Sequence, residues 1–423
     1  MLMKNLVETL KTLKFNVFKC FVAFLFVAAV TACSTHSKKI RDMNLEGSYE
    51  VDLDKIKIDP DNYFVYSTLY KGIKTIILET DESCLIGAIS KMRVFDSYIF
   101  ILDVRSRCVY MFDKEGRFVR KIGRNGQGPG EYVSPNDFTI DIENKTVYIL
   151  DAQLQRINKY DVLTGKFIYA INLEKNVRSH QIEYVHGKLY TDTYFFYHTD
   201  DNYLLRIIEE PSGQDENHYL NVMEYGKGIT NTLGNFQEHA FYLRQNGNVL
   251  FVNQFMDHII EIKKDTIFPL VDFKGKDLLT SDNIKSAIEK GNRGFLNELF
   301  QFNKFFYANS FIENEGFIFF DYFKGSSIHR IFINKQSNEV GIFIKKWDDL
   351  LIREKGTSFG SMPKLGSFDA KGVYYYLTDS YVLNKLQEAA KAGTLSPNLD
   401  KLEEIKQLEE DANPILFYYE FKD

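Results

Sequence analysis

The amino-acid sequence predicts an all-β fold, a six-bladed β-propeller with two short helical insertions that is closed by its N-terminal and C-terminal strands. Three observations support this prediction: the aromatic composition, an internal repeat, and strand-like segments at both ends of the repeated region. The 423 residues include 36 Phe and 26 Tyr but only 1 Trp and 8 Pro. Flat aromatic side chains pack well on half-buried pleated surfaces and therefore favour strands. The length fits one large β-architecture or two or three smaller domains, and the repeat favours the first.

The N-terminal segment has the features of a lipoprotein signal peptide. Four lysines precede the apolar stretch 21–30, which at about ten residues is too short to span a bilayer as a helix. The stretch ends in Val30-Thr31-Ala32-Cys33, which resembles a bacterial lipobox. We predict a signal peptide at 1–32, a lipidated Cys33 with a polar tether over 33–44, and the propeller over 45–423. The alternative is an ordinary secreted protein cleaved near Cys33.

The net charge and the residues after Cys33 indicate a location in the bacterial cell envelope. Cleavage would remove four Lys and one Glu, which changes the formal charge from −6 to −9. An acidic chain with a pI near 5.9 argues against nucleic acid as a partner. Ser34, rather than Asp, follows the cysteine, and by resemblance to lipoprotein sorting rules this favours the outer membrane. Because the tether lacks an acidic cluster, the periplasmic side is favoured over the surface.

A repeat of about 48 residues predicts the blades. Residues 99–122 and 147–171 align so that Asp103 falls on Asp151, and each copy contains strand, turn, strand, hairpin, strand. The hairpins carry Gly116 and Gly165, which supply the positive φ of such turns. Weaker copies follow at 187–196, 248–262, 316–333 and 372–380. Six such copies without intervening helices are typical of propeller blades.

The two ends of the repeated region predict how the ring closes. Lys74 to Glu79 reads as a strand without a preceding partner, and Pro414 to Phe421 reads as a terminal strand. Pairing them would leave no open sheet edge. Two segments, Asp277 to Gln301 and Val382 to Ala412, carry helical spacing instead. We expect them to be insertions at one rim, serving either a binding face or simple packing.

A specific resemblance supports the same fold. The run Ile122 to Tyr132, followed by Pro135 and by Asp137 to Asp141, resembles a six-bladed β-propeller family of Bacteroides-type lipoproteins that is similar to NHL-repeat propellers. The segments 77–80 and 413–419 also match the ends of that family. The resemblance covers about 45–423 and implies a propeller on a lipid anchor.

The glycine-rich stretch 123–130 is the first candidate for chemistry. It lacks the Gly-Lys-Ser/Thr ending of a phosphate loop, and its Pro129 and Glu131 do not suit a helix N-terminus there. One interpretation is a sharp crossing between two blades. The other is a ligand role, in which polar side chains lie at the mouth of the central funnel: Arg124, Gln127, Glu131 and, in a neighbouring turn, Arg105.

Other polar and thiol groups leave alternatives open. Asp103, Asp151 and Asp321 occupy similar positions in the repeats; they either bind a channel cation or accept amide hydrogen bonds in turns. His180 and His186 lie six residues apart without a His-Glu-x-x-His motif; they either belong to a zinc site or have ordinary structural roles. Cys84 and Cys108 are either a disulfide or two buried thiols. The aromatic run 194–197 either stacks on sugar rings or packs in the core.

The sequence therefore predicts a lipid-anchored binding protein more strongly than an enzyme. Its ligand would be a glycan, a peptide or an envelope protein, and its membrane contact would be the lipid anchor. The alternative is a propeller lyase or hydrolase that acts on a saccharide or peptide in the funnel. No catalytic residue and no cofactor are predicted; a channel cation and the oligomeric state stay open.

Overall fold

The computed structural model describes residues 49–174, 179–193, 203–222, 239–264, 266–356 and 363–422. The predicted signal peptide, Cys33, the tether and the aromatic run 194–197 lie outside these ranges. Within them, none of the helices has the length and apolar character needed to cross a membrane.

The described chain begins with a segment that precedes the blades. It contains strands β1 (Tyr49–Asp52) and β2 (Tyr63–Val65), a short 3-10 helix (Tyr66–Thr68) and then the strand β3 (Tyr70–Ile77). Blade 1 follows, with strands β4 (Lys91–Phe95), β5 (Tyr98–Asp103), β6 (Cys108–Asp113) and β7 (Phe118–Ile122). A crossing with two short parallel strands, β8 (Arg124–Asn125) and β9 (Glu131–Tyr132), leads to blade 2.

Blades 2 to 4 repeat the same four-stranded antiparallel order. Blade 2 contains β10 (Pro135–Asp141), β11 (Thr146–Asp151), β12 (Arg156–Asp161) and β13 (Phe167–Asn172). Blade 3 contains β14 (Ile182–Val185), β15 (Lys188–Asp192), β16 (Tyr203–Ile208) and β17 (Asp215–Asn221). Blade 4 contains β18 (Phe241–Leu243), β19 (Val249–Phe251), β20 (His258–Lys263) and β21 (Thr266–Lys274).

Blades 5 and 6 complete the six-bladed propeller. Blade 5 contains β22 (Phe305–Glu313), β23 (Phe317–Lys324), β24 (Ser327–Asn334) and β25 (Val340–Phe343), and is followed by the short β26 (Lys345–Trp347). Blade 6 contains β27 (Lys364–Phe368), β28 (Gly372–Tyr376) and β29 (Ile415–Phe421), and its fourth strand is β3. The predicted fold class is thus confirmed.

The ring closes as predicted, between the first and last parts of the chain. Strand β3 pairs antiparallel with β29, so that Ile76 lies opposite Leu416 and Lys74 opposite Tyr418. The N-terminal strand therefore supplies the outermost strand of the blade whose other three strands come from the C-terminal end. This arrangement makes the sixth blade depend on residues more than 300 positions apart in sequence.

The aromatic excess has its physical explanation between the blades. Each blade packs both faces against neighbours, so the middle strands are continuous buried runs rather than alternating ones; all six residues of β11 are buried. Rings from adjacent blades meet there, as in the pair of Phe100 and Phe138. Aromatic side chains bury large areas and dominate such cores.

An N-terminal strap, residues 49–69, is an element that the sequence did not predict. Its strand β1 adds in parallel to the outer strand β21 of blade 4, and β2 pairs in parallel with β26. The ring of Phe64 stacks on Phe319 at 4.5 Å between centroids. The strap thus runs from blade 4 to the junction of blades 5 and 6.

The two helical insertions lie where the spacing predicts them. Between blades 4 and 5 are α1 (Ser281–Glu289) and α2 (Gly291–Gln301), and between β28 and β29 are α3 (Ser380–Lys391) and α4 (Leu402–Gln407). Thr280 caps α1 through a reciprocal pair with Asn283, and Asp379 caps α3. Because Leu383 and Leu386 of α3 are fully buried, this insertion packs into the core.

The closing strand pair gives a testable prediction. Phe417 is fully buried in β29, opposite Thr75 of β3. We expect Phe417→Ala to lower the free energy of unfolding by about 3–5 kcal/mol, because a large buried ring leaves a cavity. Chemical denaturation measures the change. The control is Lys74→Ala, an exposed change on β3, expected to cost under about 0.5 kcal/mol; equal effects of the two variants would contradict this account of closure.

Candidate functional site

The predicted glycine-rich loop is a tight crossing from blade 1 to blade 2. Gly130 has a φ of +71°, and a Cβ there would approach the Phe167 side chain to 2.6 Å. The exposed Arg124 forms an ion pair with Glu131 at 2.7 Å, and Glu131 also accepts the Gly128 amide at 2.8 Å. That amide and Arg124 lower the pKa of Glu131. The loop therefore has the character of a structural crossing.

The four residues proposed from sequence lie in loops and turns and do not line the cavities of the central channel. The Glu131 carbonyl accepts hydrogen bonds from Arg156 and Asn158, which belong to the third strand of blade 2. Gln127 is exposed in the same loop. Arg105 lies in the turn after β5, where its Nη1 is 3.5 Å from the Gly87 carbonyl oxygen. None of these four side chains lines the three cavities.

Buried aspartates at the ends of the second strands act as turn and crossing caps. Asp103 accepts the amides of Gly87 at 2.6 Å and Arg105 at 2.8 Å. Asp151 accepts the amides of Val133 at 2.6 Å and Leu154 at 3.0 Å. Each carboxylate thus fixes the crossing into its own blade and the turn that follows.

The third member of this set is Asp192, and the predicted equivalence of Asp321 is wrong. Asp192 ends β15 and accepts the amides of His180 at 2.8 Å and Gln181 at 2.7 Å. Asp321 instead lies inside β23, which continues to Lys324. The copies of the repeat diverge after the second, so their alignment in sequence shifted this position.

In the described ranges, the thiols form no disulfide and the histidines belong to no cluster of metal-ligand residues. Cys84 and Cys108 are both buried free thiols, and burial raises the pKa of Cys108 to about 11. The Nε2 of His186 lies 2.9 Å from Asn248 Oδ1. Among the described residues, no three His, Cys, Asp or Glu side chains converge to hold a metal ion.

The central channel consists of three cavities in series along the first strands. A lower cavity of about 400 Å³ lies at the hairpins that join first and second strands, and an upper cavity of about 220 Å³ lies at the opposite mouth. Between them is a constriction of about 30 Å³, which shares Leu243 with the lower cavity and His239 with the upper one. The channel is therefore two funnels separated by a narrow middle.

Buried ion pairs join blades 1, 2 and 3 around the constriction. The Lys91 ammonium lies 2.5 Å from Asp137 Oδ1, and Arg93 pairs with Glu183. Thr139 donates to the same Glu183 carboxylate at 2.5 Å. Burial lowers the pKa of Lys91 and raises that of Asp137, and their mutual attraction opposes both shifts. These charges satisfy one another and hold the inner strands in register.

The lower cavity is lined by polar groups that are paired in the same way. Arg244 lies 2.6 Å from Glu313 and 2.5 Å from Glu261. Asn248 donates to Glu261 at 2.6 Å. Such a network is typical of a structural role.

The upper cavity differs from the other two, because it is lined by a row of polar side chains whose hydrogen bonds are incomplete among the described residues. Asn309, Asp321 and Arg330 are direct cross-strand neighbours on β22, β23 and β24 of blade 5. Arg330 Nε forms an ion pair with Asp321 Oδ1 at 3.5 Å, but without the geometry of a hydrogen bond. Among the described residues, neither Asp321 Oδ1 nor Asn309 Oδ1 has a hydrogen-bond partner, although both atoms are buried. Burial raises the pKa of Asp321, and Arg330 and Lys346 oppose that shift.

Backbone irregularity and aromatic walls accompany these unsatisfied atoms. The register of β22 shifts between Asn309 and Ile312, and Ser310 has a φ of +58°, which is unusual for a residue with a side chain. Strained backbone of this kind clusters at functional sites. The walls carry aromatic side chains from three blades and the strap: Tyr66, Tyr242, Phe319 and Tyr375.

Positive charge predominates in the upper cavity. Among the described residues, Arg330, Lys346 and Lys364 line it together with one carboxylate, Asp321. His239 adds no charge at neutral pH, because burial and the nearby Lys91 and Arg93 lower its pKa to about 3. We take this cavity as the candidate site. Sequence reasoning missed Asn309, Arg330 and Lys346, since no motif marks them and only strand pairing and the chain reversal after blade 5 bring them together.

The chain forms six four-stranded blades, and the sixth blade combines β3 with three strands from the C-terminal part of the chain. It is therefore a β-propeller protein, and its candidate site lies in one of the two funnels of the channel. The chain belongs to the family designated domain of unknown function DUF4934, which it matches over residues 48–420. No curated protein matches it.

One solved structure shows the same fold, and two others have a weaker likeness. The chain is similar to a crystal structure of a Bacteroides fragilis protein described as exported, with 20% identity, 89% of this chain and 99% of the other covered, and a TM-score of 0.70. A DUF4221 family member from Bacteroides vulgatus has 11% identity, coverage of 84% and 97%, and a TM-score of 0.48. Virginiamycin B lyase from Staphylococcus aureus has 11% identity, coverage of 82% and 98%, and a TM-score of 0.41. At 20% identity, the likeness to the Bacteroides fragilis protein concerns the fold alone.

The cap at Asp192 gives a prediction about pH. Burial raises the pKa of this carboxyl to about 7, against an ordinary value of 3.8. The folded state then holds a proton that the unfolded chain has lost, so stability falls as pH rises from about 4 to 7, by up to about 1.4 kcal/mol per pH unit. Asp192→Asn keeps an acceptor for both amides but cannot titrate. We expect its unfolding free energy, measured at pH 5 and pH 7, to lack this component; an unchanged difference between the two pH values would refute the shift.

Proposed function

We propose that this protein is a lipid-anchored envelope protein that binds a saccharide in the upper cavity without altering it chemically. The observation that carries the proposal is that two buried oxygens at a cavity of about 220 Å³, Asn309 Oδ1 and Asp321 Oδ1, have no hydrogen-bond partner among the described residues. Buried polar atoms almost always have partners. A ligand that donates several hydrogen bonds would supply them.

A saccharide fits this cavity in two further respects. Hydroxyl groups donate as well as accept, so one sugar ring can satisfy the Asn309 and Asp321 oxygens and accept from neighbouring lysines. The cavity also presents Tyr66, Tyr242 and Tyr375, whose rings offer flat apolar faces with a polar edge. Sites that combine aromatic walls with a few placed polar groups are typical of small-molecule recognition.

Binding is favoured over turnover by the acid and base groups present. Glycoside hydrolysis uses two carboxyl groups that flank the bond, whereas Asp321 is the one carboxylate among the described residues that line the upper cavity. His239 is neutral but deeply buried. This set supports a binding role for the propeller.

The location is part of the same proposal. The lipobox over 30–33 supports lipidation of Cys33, and the similar Bacteroides fragilis protein is described as exported. Ser34 and the absence of acidic residues from 34–40 support the periplasmic side of the outer membrane. Membrane contact through acyl chains and a kinship with NHL-repeat propellers belong to the proposal as well.

Lipidation is tested by removing the acceptor thiol. We expect Cys33→Ala to abolish incorporation of labelled fatty acid and to release the protein from the membrane fraction, because no other group accepts the diacylglycerol. The matched control is Cys20→Ala, which alters a cysteine inside the signal peptide and should leave labelling intact. Labelling that survives Cys33→Ala would contradict the anchor assignment.

The binding site is tested with an oligosaccharide array and the mature lipoprotein in detergent. We expect Asn309→Ala to weaken binding of the retained saccharides about tenfold, the effect of losing one buried hydrogen bond. Arg124→Ala with Gln127→Ala provides the control and also tests the loop predicted from sequence. Loss of binding in this double variant alone would assign the site to the loop, and release of a cleaved product would assign the protein to the enzymes.

A further inference from the structure

We propose that the upper cavity selects saccharides that carry an anionic substituent. This inference rests on the proposed function and specifies the class of its ligand. The starting point is a mismatch between the cavity and the rest of the protein. The whole chain has a formal charge of −6, yet among the described lining residues Arg330 and Lys346 face one carboxylate, that of Asp321.

The two mouths of the channel differ in charge. The lower cavity is lined by Asp141, Glu143 and Asp369, with Arg244 as its one Lys or Arg among the described lining residues. That arginine is already bound to two glutamates. Of the two mouths, the upper one therefore has the described residues that would attract an anion.

Lys346 is the group that supplies uncompensated charge. Arg330 is engaged, since its Nη1 donates to the Ile344 carbonyl at 3.1 Å and its Nε faces Asp321. Lys346, on β26, influences Asp321 through its charge, but within the described residues its ammonium forms no hydrogen bond or ion pair. Its neighbour Lys345 points to a different partner, Asp61, at 3.2 Å. A ligand anion beside Lys346 would form a charge-assisted hydrogen bond.

The lining of this cavity suits a ligand that carries both hydrogen-bond donors and a negative charge. Asn309 Oδ1 and Asp321 Oδ1 need O–H or N–H donors, and the rings of Tyr66 and Tyr375 offer apolar contact. Acetate has no O–H group to donate, and inorganic phosphate has no apolar face to place on the rings. A sugar ring with a carboxylate or sulfate substituent carries hydroxyl donors, an apolar face and the negative charge within one unit. This combination matches the described lining of the cavity.

The test compares an acidic oligosaccharide with its own neutral counterpart. The probes are an oligogalacturonide, the same oligosaccharide with its carboxyl groups reduced to alcohols, and a sulfated oligosaccharide, each titrated calorimetrically into the mature lipoprotein in detergent. We expect the acidic forms to bind at least about tenfold more tightly than the reduced form, and this advantage to shrink when salt rises from about 50 to 500 mM. The sulfated arm distinguishes a general anion site from a carboxylate site.

Two lysine variants locate the charge. Lys346→Gln should remove most of the affinity advantage of the acidic ligand over the reduced ligand, whereas Lys345→Gln should preserve that advantage. Equal affinities for acidic and reduced ligands would overturn this inference but leave saccharide binding intact. Failure of all three ligands to bind would overturn the proposed function itself. If Lys346→Gln does not fold, the comparison of acidic and reduced ligands with the unaltered protein still decides.

Discussion

The antiparallel pairing of β3 with β29 is the constraint on which the whole structure depends. It joins residues 70–77 to residues 415–421 and makes one blade from both ends of the chain. A propeller with an open sixth blade would expose unpaired strand edges and the apolar faces between blades. With the ring closed, each blade buries both faces, and the large content of Phe and Tyr finds its place between the sheets.

Closure of the ring also creates the central channel, and the polar side chains that line the channel differ between blades 1 to 3 and blade 5. Blades 1 to 3 fill it with ion pairs such as Lys91 with Asp137, in which each buried charge has a partner. Blade 5 leaves Asn309 and Asp321 incompletely satisfied beside a cavity. Buried charges are costly unless they are paired, so the ion pairs of blades 1 to 3 are understood as structural. A ligand would gain the most hydrogen bonds in the upper cavity beside blade 5.

The strap links the outer edge of blade 4 to the candidate site. It adds β1 to the edge of blade 4 and carries Tyr66 to the wall of the upper cavity. Tyr66 packs there against Tyr70 and Tyr419, which belong to the closing strands. The cavity therefore depends on the strap and on closure together, although its polar groups come from blade 5 and the segments that flank it.

The sequence by itself determined the blades, the closing strands and the helical insertions, because these follow from local periodicity, turn glycines and a repeat that survives in the first two copies. Asp103 and Asp151 could be recognised as turn residues for the same reason. Only the tertiary structure decided the site. Asn309 and Arg330 meet across Asp321 through strand register, Lys346 comes close after the chain turns out of blade 5, and Tyr66 arrives from the strap. Such contacts join residues far apart in sequence, and no local pattern encodes them. The glycine-rich loop attracted the sequence-based prediction because of its composition, whereas the structure explains Gly123 and Gly130 by close packing against Tyr160 and Phe167.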